Sequence, residues 1–150
     1  MLKVVLDTNV FVSSILVKAG PPAQVLDAWR ERRYLLIVSP AIIAEIRTTL
    51  AYPRIRRKYA ITDEDVEQLV TLLERDALLV PGDAEVAGAI PEDPADEMVL
   101  ACALDGQADV IISGDRHLLD LDTYRSIPIL TVRQFLERLE AESSDSTAAP

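Results

Sequence analysis

Residues 2–9 read Leu2-Lys3-Val4-Val5-Leu6-Asp7-Thr8-Asn9. An apolar run without polar alternation is the mark of a strand covered on both faces. This one ends abruptly on an acid. The same pattern returns at Tyr34-Leu-Leu-Ile-Val38, followed by Ser39-Pro40, and at Asp109-Val-Ile-Ile112, followed by Ser113-Gly114-Asp115. With shorter runs at 77–80 and 127–130, the predicted strands are 2–6, 34–38, 77–80, 109–112 and 127–130. Helical spacing fills the intervals at 9–17, 22–32, 40–50, 63–75, 94–105 and 131–141. Strands alternating with helices predict an α/β fold with a mostly parallel sheet. Ser39-Pro40 and Asp93-Pro94 each fit a capping residue with proline in the first turn.

A chain of 150 residues is long enough for one domain with a real core. That domain is expected over 1–140, with the Ser/Ala/acid-rich stretch 141–150 as a disordered tail. No apolar run approaches the roughly 18 residues of a membrane helix, and the first is too short for a signal peptide. The expected location is therefore cytoplasmic. The single cysteine, Cys102, excludes an internal disulfide and a cysteine-rich zinc site. Flanked by Ala101 and Ala103, it reads as small core filler.

Twenty-five acids against 15 bases give a net charge of −10, which repels a polyphosphate if the charge is evenly spread. It is not. Arg54, Arg56, Arg57 and Lys58 lie within five residues, and Arg30, Arg32 and Arg33 form a second group. Residues 82–97 hold six acids and no base. The first basic group, flanked by Tyr52 and Tyr59, reads either as a single-strand-binding surface or as a solvated basic helix.

Asp7 and Asp115 each follow a buried strand. In an open parallel sheet, ligands bind beyond the carboxyl ends of the strands where strand order reverses. If strands one and four are neighbours there, both carboxylates enter one cleft; otherwise each caps the turn that follows it. On a helix starting at 94, Asp96 shares a face with Val99, Leu100 and Ala103. A site role and a capping-box role with Asp93 both fit it, while Glu97 points to the rim. Glu45 falls on the margin of the stripe formed by Ile42, Ile43, Ile46 and Leu50. Two carboxylates about 4 Å apart repel by about 4 kcal/mol at an effective dielectric of about 20. Four converging acids therefore need protons or cations. Oxygen donors without a histidine cluster favour Mg²⁺ or Mn²⁺ over zinc. Such ions assist phosphoryl chemistry by activating water and neutralising developing charge.

These residues resemble the PIN-domain ribonucleases, of the VapC-like kind found as toxins in prokaryotic toxin–antitoxin systems. The resemblance covers residues 1 to about 136. It is carried by Val-Leu-Asp7-Thr8-Asn9-Val, Ser39-Pro40…Glu45-Ile, the Asp96-initiated Ala-rich helix, and Val-Ile-Ile-Ser113-Gly-Asp115. It implies a three-layer α/β/α fold around a mostly parallel sheet of about five strands. It further implies Mg²⁺ or Mn²⁺ held by Asp7, Asp96 and Asp115, with Glu45 bound directly or through water. Thr8, Asn9 and Ser113 would orient the carboxylates. The implied reaction is endonucleolytic hydrolysis of RNA by metal-activated water. For such a substrate the residues themselves offer Arg54, Arg56, Arg57 and Lys58 as a binding track and Arg116 as a phosphate contact, with a solvated surface as the alternative for each. A homodimer and a small antitoxin partner are implied as well.

Two other readings compete. A haloacid-dehalogenase-like phosphatase also places an Asp after its first strand, but needs an acid two residues on, where this chain has Asn9. A non-catalytic binding module with an acidic pocket would tolerate loss of the carboxylates. His117, the one histidine, reads as a surface residue at the start of a helix, since a metal-activated water needs no histidine.

Overall fold

The computed structural model describes the backbone of residues 1–90 and 96–148, with side chains in these ranges up to residue 142. Its strands are β1 (Lys3–Leu6), β2 (Leu35–Val38), β3 (Leu78–Leu79), β4 (Val110–Ile112), β5 (Thr123–Tyr124) and β6 (Ile127–Leu130). They form one sheet in the order β3-β2-β1-β4-β6-β5. All neighbours are parallel except β5 and β6. The helices are α1 (Thr8–Leu16), α2 (Pro21–Arg30), α3 (Pro40–Leu50), α4 (Pro53–Tyr59), α5 (Asp63–Asp76), α6 (Glu97–Asp105), α7 (Arg116–Leu119) and α8 (Val132–Ala148).

Consecutive strand residues point to opposite faces. Val4, Val5 and Leu6 are all fully buried, as are Val110, Ile111 and Ile112, so helices cover both faces of the sheet. α6 packs on β1, β2 and β4, while α8 packs on β6. Among the described residues, no helix is long and apolar enough to cross a membrane.

The five expected strands are present, and the sheet gains a sixth. β5 is two residues long and joins β6 through Arg125 and Ser126, with φ of 47° and 70°. Two positive φ values are the signature of a tight hairpin turn, usually announced by Asn-Gly. Arg-Ser carries no such signal. At 53–59 the backbone is helical, ending at Ala60 in a left-handed conformation (φ 53°). α6 begins at Glu97, with Asp96 at its N-cap rather than in its interior. The expected start at 94 and the Asp93 cap lie outside the described residues. α8 continues to Ala148, so its backbone runs on through most of the stretch read as a tail.

Candidate functional site

Chain order leaves β1 toward β2 on one side and β4 toward β6 on the other, so the β1/β4 boundary is where the sheet reverses direction. The register sets Leu6 beside Ile112, and the backbone N–H of Asp7 donates to the Ile112 carbonyl at 2.9 Å. Asp7 and Ser113 therefore leave adjacent strand ends together. The Ser113 hydroxyl donates to Asp7 Oδ2 at 2.7 Å and accepts the backbone N–H of Asp115 at 2.8 Å. One fully buried side chain thus holds both acids.

Asp7 is 3% exposed. Burial pushes its carboxyl above the usual carboxylate range, and the nearby charge of Asp115 adds to the shift. The Ser113 hydroxyl and the backbone amides of Asn9 and Thr8 act in the opposite direction. Thr8 is buried and Asn9 exposed.

Asp115 caps α7. Its Oδ1 accepts the backbone N–H of His117 at 2.7 Å, which folds the segment back on itself and sets the imidazole Nδ1 3.8 Å from the same oxygen. Asp96, buried at the head of α6, makes no capping hydrogen bond into its own first turn. One donor atom each from Asp96, Asp115 and His117 lie within 4.8 Å of one another. The described residues thus bring Asp96, Asp115 and His117 together; Asp7 stands outside this group of mutually close donors and is coupled to Asp115 through Ser113. Sequence spacing missed His117 because a turn only two residues long decides it.

Glu45 is half-buried on α3 and stands outside this group of mutually close donors. The basic residues divide. Arg54, Arg57 and Lys58 are exposed, with Lys58 Nζ 5.2 Å from the Tyr59 ring centre. Arg56 is tied into the fold: its Nε donates to the Leu50 carbonyl at 2.7 Å and its guanidinium pairs with Asp63. Tyr59, Ala60 and Ile61 line an open groove of about 910 Å³ together with Ser14, Ile15 and Leu16. The end of α4 is thus beside the far end of α1, roughly 13 Å along that helix from Asp7. Arg116 is exposed beside the acids. Burial pushes the Cys102 thiol up to about 12, which makes it an inert core residue.

Carboxylates gathered at the sheet's reversal point, with an imidazole beside them, suit a divalent ion that accepts mainly oxygen. Known proteins agree on the architecture. A chain of VapBC2 from Rickettsia felis, bound to a DNA fragment from their promoter, has a TM-score of 0.60 at 10% identity, covering 87% of this chain and 98% of that one. For DNA-bound VapBC from Salmonella typhimurium the values are 0.57 and 20%, covering 88% and 99%. FitAcB from Neisseria gonorrhoeae gives 0.51 and 17%, covering 87% and 98%. An uncharacterised protein of Methanocaldococcus jannaschii is 28% identical over 147 residues, 93% of this chain and 92% of that protein. Residues 3–117 match the family described as PIN domain. That span takes in Asp7, Glu45, Asp96, Asp115 and His117, and the chain belongs to the PIN domain family.

Proposed function

We propose that the protein is a metal-dependent endoribonuclease and the toxin of a toxin–antitoxin pair. The observation that carries the reading is the Asp7–Ser113–Asp115 link at the reversal point of the sheet, with Asp96 close to Asp115. Buried carboxylates facing one another are costly unless a cation or proton joins them. Asp7, Asp96 and Asp115 hold Mg²⁺ or Mn²⁺ in this reading, and Glu45 reaches it through water. The bound ion would supply an activated water and offset the charge that builds on the phosphodiester. Ser113 fixes the angle between Asp7 and Asp115, and the Thr8 and Asn9 amides steady Asp7. Arg116, next to the acids, meets the phosphate, and Arg54, Arg57 and Lys58 extend the track along the strand.

Membership of the PIN domain family removes the ground for the phosphatase alternative. Likeness to chains of VapBC and FitAcB assemblies supports a protein partner, and we assign this chain an antitoxin on that basis; the homodimeric state is proposed from the family resemblance alone.

The test is cleavage of mixed single-stranded and structured RNA with Mg²⁺, with Mn²⁺ and with chelator, run beside Asp7→Asn. Cleavage is expected only with metal and only with Asp7 intact. Cutting by Asp7→Asn at the wild-type rate, or cutting in chelator, would overturn the assignment.

A further inference from the structure

We propose that His117 supplies a nitrogen ligand to the ion held by Asp96 and Asp115, and thereby tilts the site toward Mn²⁺ over Mg²⁺. The inference rests on the metal-dependent reading above and assigns a role to a side chain outside the acidic set.

The geometry comes from two contacts that do different jobs. The hydrogen bond from the His117 backbone N–H to Asp115 Oδ1 anchors the histidine backbone against the acid. The imidazole Nδ1, at 3.8 Å from that oxygen, is too far for a hydrogen bond. It is a fitting separation for two ligands of one ion. With bonds of about 2.1 Å in octahedral geometry, ligand atoms sit roughly 3 Å apart when adjacent and about 4.2 Å when opposite. The three donors, all within 4.8 Å of one another, need only a small contraction to reach those distances. The His117 side chain is 43% exposed, so its ring can turn without disturbing the core.

The chemistry sets the preference. Mg²⁺ binds through carboxylates and retained water, whereas imidazole nitrogen suits transition metals. Replacing one oxygen donor by nitrogen therefore lowers the relative affinity for Mg²⁺. His117 sits on α7, whose four residues carry no other candidate ligand. An exposed histidine with no role would leave metal binding untouched.

The experiment loads the full-length protein with Mn²⁺ and follows it by electron paramagnetic resonance, for wild type, His117→Gln and Asp7→Asn. Wild type is expected to show nitrogen modulation in pulsed spectra, and His117→Gln to lose it. The ratio of Mg²⁺ to Mn²⁺ dissociation constants should fall about tenfold in His117→Gln, the lower end of what losing even an outer partner of a metal ligand costs in affinity. His117→Gln should melt with wild type in chelator, which separates ligation from a folding defect. Bound Mn²⁺ without nitrogen modulation, or an unchanged ratio, overturns the His117 assignment and leaves the nuclease reading standing. No Mn²⁺ binding by wild type also overturns the His117 assignment; the nuclease reading falls separately, if RNA is cut in chelator or at the wild-type rate by Asp7→Asn.

Discussion

Asp7 is buried and faces another acid, so its ionised form works against the fold unless a cation offsets it. Burial first, and the Asp115 charge after it, raise the carboxyl above its ordinary value of 3.8. A carboxyl raised on folding destabilises only in its ionised form. The cost is absent below the unfolded value, grows as pH climbs from there through the folded one, and persists above it. In chelator at pH 7, Asp7→Asn is expected to melt higher than wild type, with the gap closing as pH falls toward 3.8. Thermal melts across that range check it, and a gap independent of pH would remove charge as the cause. Asp7 is legible in the sequence as a carboxylate straight after an all-apolar strand, and Asp115 as one separated from such a strand by Ser113 and Gly114, although a cap for the following turn explains either alone. Asp96 is legible only as a polar residue on an apolar face. His117 is not, because its proximity depends on a side chain folding back onto a backbone amide two residues away.

Among the elements, those with a hydrophobic period announce themselves and those held by a single turn do not. β1, β2, β4 and β6 are apolar runs, and α5 carries a full capping box between Thr62 and Asp65. β5 depends on the positive φ of Arg125 and Ser126, which leaves no composition signal, while α7 rests on the Asp115 cap and shows in the sequence only as a helix start near His117. Strand order is equally hidden, as it follows from which crossovers pack rather than from any local run. The seat of α6 on the sheet rests on Gly106, where an added Cβ would fall 2.7 Å from Ile37 Cγ2 and 2.8 Å from Cδ1. Ile37 is fully buried on β2 and has nowhere to move. Gly106→Ala is expected to cost about 1–3 kcal/mol by overpacking. Gly114→Ala, with open space around the new methyl, should be near neutral. Urea unfolding of the two variants side by side tests the contrast, and equal stabilities would show that the α6–β2 packing gives way easily.

At the scale of the whole molecule, a chain of net charge −10 can meet the proposed RNA substrate only through an uneven surface. α4 supplies Arg54, Arg57 and Lys58 to solvent, whereas Arg56 is occupied by Leu50 and Asp63. Replacing Arg54, Arg57 and Lys58 with Gln is expected to weaken single-stranded RNA binding. The slope of log affinity against log salt should flatten by about 0.7 for each phosphate that no longer meets a cation. Arg56→Gln should instead lower stability with less effect on that slope. Salt titrations of both variants decide, and an unchanged slope in the triple variant would return α4 to plain surface.

The Ser113–Asp7 hydrogen bond joins residues 106 positions apart, so the acid pair is a property of the closed chain and of no local segment. A fragment ending before residue 113 holds Asp7 with neither its hydroxyl partner nor Asp115. During synthesis, the first acid leaves the ribosome early and waits through most of translation before the strand that completes it emerges. The proposed site is in this way completed only at the end of folding: a pairing among the most distant in sequence is also the one that joins its acids.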